Sequence, residues 1–182
     1  MNYLDFPIGD DVPKTVNAFV EVPYGCANKY EYDKTLHVIR LDRPLYASVH
    51  YPGEYGFIPS TLSADGDALD IIILVTHSTF PGCLLEARPV GVLEMIDQGK
   101  ADQKILAVAK ASPTHAQIKN HTDLAPHVLR EIEHFFSVYK ELEGKRTEVK
   151  GWKDVKEAHR LIEEGHRRFR QDDAKHSRGR EK

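Results

Sequence analysis

Three carboxylates in six residues, Asp65-Gly66-Asp67-Ala68-Leu69-Asp70, lead straight into the aliphatic run Ile71-Ile72-Ile73-Leu74-Val75. The aliphatics, mostly β-branched, read as a strand buried on both faces. Asp70 therefore stands at the mouth of a buried strand. A carboxylate taken out of water without a partner costs several kcal/mol. It needs a cation, and a metal ion is the one that would also engage Asp65 and Asp67. An isolated Asp-Gly-Asp is more simply an Asx turn. The third Asp and the aliphatic run shift the balance toward metal. A calcium loop of the EF-hand type does not fit. With Asp65 as its first position, Asp70 falls where Gly is required and Thr76 where Glu is required.

Further acids fall into two groups, Glu21 with Glu31 and Asp97 with Asp102, and cations are interleaved with them at Lys29, Arg43, Lys104 and Lys140. If these converge, oxygen-only donors favour magnesium, manganese or calcium over zinc or copper. The ten histidines form no HExxH pair; His115, His121, His127 and His134 read as surface or core residues. Acids that hold divalent ions, faced by Lys and Arg, suit a compact polyanion such as a phosphate compound. A divalent ion lowers the pKa of its water from about 15.7 to about 7. A carboxylate left free of metal can take the proton, and cations stabilise the leaving charge. No GxxxxGK[ST] loop is present, so the chain is not a P-loop NTPase.

These side chains must be positioned by strands. Val16–Val22 reads as a strand stopped by Pro23. Asn28–Lys34 reads as another, with Lys29, Glu31 and Asp33 on one face and Tyr30 and Tyr32 on the other. Taken alone, it is a half-exposed strand with a solvated charged face. Leu36–Leu41 follows. His50–Pro59, with two prolines, two glycines and two tyrosines, reads as a structured loop. Cys83–Arg88 and Pro89–Ile96 read as two strands. A hairpin over 97–102 then leads into Gln103–Lys110, with Lys104 on the same face as Asp102. Taken alone, its acids are a solvated tip. A helix starts at Pro126, carries the stripe Val128, Leu129, Ile132, Phe135, Phe136 and Tyr139, and stops at Gly144. Another starts from Asp154 as N-cap and runs through Phe169. Strands first and helices last imply an α+β domain with an antiparallel β core, a barrel rather than a doubly wound sheet.

At 182 residues, with 41% hydrophobic and 29% charged content, the chain reads as one globular domain. Residues 1–14 form an irregular lead-in, and 171–182 a basic tail expected to fray. The net charge of −3 argues against a nucleic-acid protein. Cys26 and Cys83 form no CxxC pair and fit a reducing cytoplasm. No apolar run approaches the roughly 20 residues of a membrane span, and no secretory signal is evident.

The order and spacing of these pieces resemble the soluble family I inorganic pyrophosphatases, over roughly residues 15–170. The acidic motif resembles the family signature Asp-x-Asp-(Pro)-x-Asp. Also matching are Val20-Glu21-Val22-Pro23, Lys29-Tyr30-Glu31, Asp42-Arg43, Tyr51-Pro52 through Pro59, Arg88 through Leu93, Asp97 through Lys104, His134 through Lys140, and Gly151-Trp152. The resemblance implies a five-stranded antiparallel OB-like barrel flanked by two C-terminal helices, and magnesium-dependent hydrolysis of pyrophosphate to two phosphates. It implies that Asp65, Asp70 and Asp102 hold the first magnesium and that Asp70 shares a second. Asp97, with Asp102, and Glu31 serve ions arriving with substrate. Asp67 is the general base. Lys29, Arg43, Tyr55, Lys104, Tyr139 and Lys140 contact phosphates, and Glu21 supports the cluster. Manganese or zinc are substitute metals. The chain length resembles the prokaryotic members, commonly hexamers. Two positions depart from the pattern: Ala68 replaces the usual Pro, and Glu54 replaces an Asn common among relatives. Two rival readings are a non-catalytic barrel binding cations or single-stranded nucleic acid, and hydrolysis of nucleotides or polyphosphate.

Overall fold

The computed structural model describes residues 2–179, with side-chain burial defined as far as 175. In chain order its strands are β1 (Val16–Val22), β2 (Asn28–Asp33), β3 (Val38–Pro44), β4 (Glu54–Ile58), β5 (Leu69–Leu74), β6 (Leu84–Asp97), β7 (Lys100–Ala109) and β8 (Thr147–Lys153). The α-helices are α1 (Pro126–Val138) and α2 (Val155–Gly179). Strands pair in the order β1-β4-β5-β7-β6, and β6 pairs back onto β1, closing a ring of five. β1 meets β6 only along Leu84–Ala87, so the second half of β6 keeps an edge on that side. β8 adds to the second half of β6, while β2 and β3 form a separate hairpin. This is an α+β fold built on an OB-like barrel. Among the described residues, four contacts round the ring are antiparallel, but β5 and β7 run parallel. The ring is therefore mixed at this one contact, where the sequence reading expected antiparallel pairing throughout.

β5 sits at the centre because both of its faces are covered. Leu69, Ile71 and Ile73 pack with Ile105, Ala107 and, from α2, Ala158 and Ile162. Ile72 and Leu74 pack on the opposite face with Tyr51, Tyr55 and, from α1, Phe136. Strand alternation puts Asp70 on the second face. The α1 stripe buries Ile132, Phe135 and Phe136 there, and Trp152 Nε1 of β8 donates to Glu133 Oε1 at 2.6 Å to tie sheet to helix. A third cluster joins Tyr3 of the lead-in to Phe19 and Tyr32, with ring centroids 4.4 and 5.0 Å away.

Several elements differ from the sequence expectation. β4 lies inside the stretch read as a loop, because Gly56 lets it run against the β1 backbone: a Cβ there would collide with the Phe19 carbonyl oxygen. The two strands expected either side of Arg88 are one, β6, with the ladder irregular between Pro89 and Gly91, where proline has no N–H to donate. α1 ends at Val138 rather than at Gly144, and a 3-10 turn, Glu141–Glu143, fills the interval. Asp154 caps α2 as expected, its Oδ1 accepting the N–H groups of Lys156 and Glu157. That helix continues through much of the tail expected to fray, with residues 171–175 exposed. Residues 180–182 lie outside the described residues.

Candidate active site

The acidic loop is an Asx turn as well as a cluster. Asp65 Oδ1 accepts from the Ser63 hydroxyl and, at 3.1 Å, from the Asp67 N–H. Partial burial works against the Asp65 charge, but these donors outweigh it and hold its pKa below the ordinary value. Asp70 follows on β5. β7 lies parallel to β5 and brings Asp102 and Lys104 alongside. The turn leading into β7, Gln98-Gly99, has both residues at positive φ, 49° and 84°. A two-residue hairpin turn requires that geometry.

Lys104 is 3% exposed. Its Nζ donates to Asp102 Oδ1 at 2.6 Å and to Asp70 Oδ2. Burial opposes its charge, but Asp70 and Asp102 outweigh burial and keep its pKa above that of a free lysine. Its ammonium stands 5.7 Å from the centroid of the Tyr55 ring. Desolvation raises the pKa of Asp102, more than Lys104 lowers it. Just beyond the C-terminus of α1, Lys140 Nζ lies 2.5 Å from Asp97 Oδ2, while Asp97 Oδ1 is buried with no hydrogen-bond partner. On β2, Lys29 pairs with Glu31. Glu21 of β1 accepts from Tyr32 N–H at 2.6 Å. Desolvation, with the charges of Asp70 and Glu31, pushes its pKa up to about 8.

These groups surround one cavity of about 450 Å³. Every site residue expected from sequence lines it except Arg43. Arg43 is the Cα partner of Lys29 on β3 and donates from Nε to Glu143 at 2.7 Å and from Nη1 to Asp42. Its Nη2 is buried without a hydrogen-bond partner. Tyr51 and Lys34 are among the lining residues that the sequence reading did not assign to the site. Tyr51 is 1% exposed, and burial lifts its phenol pKa well above 10; its place in the aromatic loop was the available signal. The sequence reading carried the strand on to Lys34 and so put it on the face opposite Lys29 and Glu31; β2 in fact ends at Asp33, and Lys34 belongs to the turn.

Among the described residues, no three acids, histidines or cysteines stand close enough together to enclose an ion. In this arrangement lysines supply the positive charge. The donor set nevertheless fits a hard divalent ion. It is all carboxylate oxygen, Asp97 offers a buried oxygen without a partner, and desolvation raises Glu21 and Asp102 so that added positive charge is favoured.

A family model described as inorganic pyrophosphatase matches residues 18–170. The chain belongs to the inorganic pyrophosphatase family. It is accordingly a hydrolase acting on pyrophosphate, with a metal-dependent reaction. An inorganic pyrophosphatase of Halalkalibacterium halodurans is 48% identical over 158 residues, 87% of this chain and 97% of that one. One from Synechocystis sp. is 52% identical over 149 residues, 82% and 88% of the two chains. The crystal structure of inorganic pyrophosphatase from Thermus thermophilus superimposes with a TM-score of 0.91 at 42% identity, covering 93% of this chain and 99% of that one. Of the two departures from the pyrophosphatase pattern, Ala68 does line the cavity. Glu54 does not. It is fully buried, and accepts from Thr79 N at 2.6 Å, Thr79 Oγ1 at 3.0 Å and the Tyr24 N–H. Burial outweighs these donors and raises its pKa. Glu54 is thus a tie between two loops, not a charge in the cleft. Among the described residues no helix is long and apolar enough to cross a membrane.

Proposed function

We propose that this cavity is where pyrophosphate is cleaved, with Asp67 as general base. A water oxygen attacks one phosphorus in line, Asp67 takes the water proton, and the bridging P–O bond breaks to give two phosphates. One observation carries the choice of Asp67. Its side chain is 68% exposed, against 51% for Glu31, 32% for Asp70, 21% for Asp102 and 17% for Asp97. Of these acids it is the most open to an entering water. Asp65, Asp70 and Asp102 would hold one divalent ion, and Asp70 would share a second. Asp97 with Asp102, and Glu31, would serve ions that arrive with substrate. Bound there, magnesium supplies Lewis-acid polarisation and neutralises phosphate charge. Manganese or zinc would be substitutes.

Lys29, Lys104 and Lys140 offer ammonium groups to the phosphate oxygens, Arg43 its unpartnered Nη2, and Tyr55 and Tyr139 hydroxyls kept protonated by burial. Glu21 holds the Tyr32 backbone and so keeps β2, with Lys29 and Glu31, against the barrel. The reaction serves the cytoplasm. Calorimetric titration of the chelator-treated protein with magnesium tests the ligand assignment. Asp70→Asn should abolish the tightest site; retention of that site at full affinity would refute it.

A further inference from the structure

Among the described residues, four lysines line the cavity. Three of them pair with acids assigned to the site: Lys29 with Glu31, Lys104 with Asp70 and Asp102, and Lys140 with Asp97. The fourth, Lys34, follows the same pattern, its Nζ 2.5 Å from Asp67 Oδ1. It reaches Asp67 from a separate element, the turn between β2 and β3. That turn is firmly built. Asp33 Oδ1 accepts the N–H groups of Thr35 and Leu36, each at 2.9 Å. Arg40 Nη1 lies 3.1 Å from Asp33 Oδ2. His37, at φ 56°, donates its N–H to Asp33 O and pairs its ring with the Tyr32 hydroxyl at 2.8 Å. The lysine is therefore presented to the cavity by a fixed backbone, while its own side chain is 54% exposed.

An ion pair between two well-solvated side chains is weak and easily exchanged. A phosphate group offers more negative charge, spread over several oxygens, than one carboxylate. We infer that Lys34 is a further pyrophosphate-binding residue, which exchanges Asp67 for a phosphate oxygen when substrate enters. The exchange anchors the substrate on the hairpin side of the cavity and leaves the Asp67 carboxylate unpaired at the water it is to deprotonate. This inference rests on the proposed location of the reaction and goes beyond it in assigning a binding contact from the β2–β3 turn.

The test uses the full-length protein with Lys34→Gln and Lys34→Arg, and Lys110→Gln as a charge-matched control that pairs with Glu86 on another surface. KM for pyrophosphate and the affinity for the non-hydrolysable methylenediphosphonate, by calorimetry in magnesium, are read together. Lys34→Gln should raise KM and weaken analogue binding about three- to tenfold, the scale of one exposed charge-assisted contact. Lys34→Arg should restore most of both, and Lys110→Gln should change neither. Values for Lys34→Gln within twofold of the parent, or tighter, would overturn the inference. So would an equal change in Lys110→Gln. Asp67→Asn separates the two ideas: if that variant keeps its turnover number, the choice of base fails, while the binding role of Lys34 is still decided by the analogue.

Discussion

Glu21 is surrounded by influences that oppose its ionisation. Desolvation acts first, Asp70 and Glu31 add to it, and the Tyr32 N–H and Lys29 only partly compensate, so its pKa rises from an ordinary 4.5 to about 8. In the unfolded chain the carboxyl ionises near 4.5, so between pH 4.5 and 8 unfolding releases a proton. The group's contribution to stability is complete below the lower value and is lost as pH rises through the upper one. In excess chelator, the Tm should fall between pH 5 and 8, and Glu21→Gln, which keeps an acceptor for the Tyr32 N–H, should flatten that fall. An unchanged slope would place the pH dependence elsewhere. Lys104→Met tests the opposite charge. It leaves Asp70 and Asp102 facing one another without their shared cation. Both acids are partly exposed, so the cost should be about 2 kcal/mol, below the range for breaking a fully buried pair. Urea unfolding should show it, and added magnesium should recover part of it. Lys104 was legible in the sequence because it stands two residues from Asp102 on a strand. Lys34 was not, because the strand pattern carried through it and put it on the face opposite Lys29, whereas β2 ends one residue earlier.

The elements differ in how openly the sequence declares them. β5 is written in an unbroken aliphatic run, and α1 in apolar residues at helical spacing. β4 is hidden, since Glu54-Tyr55-Gly56-Phe57-Ile58 sits among prolines and glycines and carries a charged residue that only the folded loops satisfy. β8 is hidden too. Thr147–Lys153 reads as polar, and it becomes a strand because β6 presents an edge and Trp152 finds Glu133. The glycine that obscures β4 also permits it. Gly56→Ala would drive a methyl group into the Phe19 carbonyl and separate β1 from β4. The variant should lose about 3 kcal/mol or more and, since Tyr55 is its neighbour, activity as well. A Tm within a few degrees of the parent would contradict this account of the β1–β4 contact.

At the scale of the molecule, the sequence indicated a barrel but not how it closes. The parallel β5–β7 contact depends on partners thirty-four residues apart, such as Ile71 and Ile105, and no local pattern records it. That contact also sets Asp70 beside Lys104 and Asp102, so the site was legible as a set of residues and illegible as a place. Leu36, Tyr46, Phe80 and Leu142 are each at least 60% exposed. Apolar side chains exposed singly are ordinary on a protein surface, so the expectation of a hexamer comes from the resemblance. Sedimentation equilibrium should give six times the chain mass; a monomer at micromolar concentration would exclude that assembly.

The measurement that bears most directly on the account is phosphate release from pyrophosphate by the parent protein and Asp67→Asn, each with magnesium and with excess chelator. Asp67 is exposed, so the variant should fold and keep its Tm. Release should require magnesium, and the turnover number should fall about 10²- to 10⁴-fold in Asp67→Asn, the range for loss of a general base. A variant that turns over at the parental rate in magnesium would show that the proton goes elsewhere and that Asp67 is not the base.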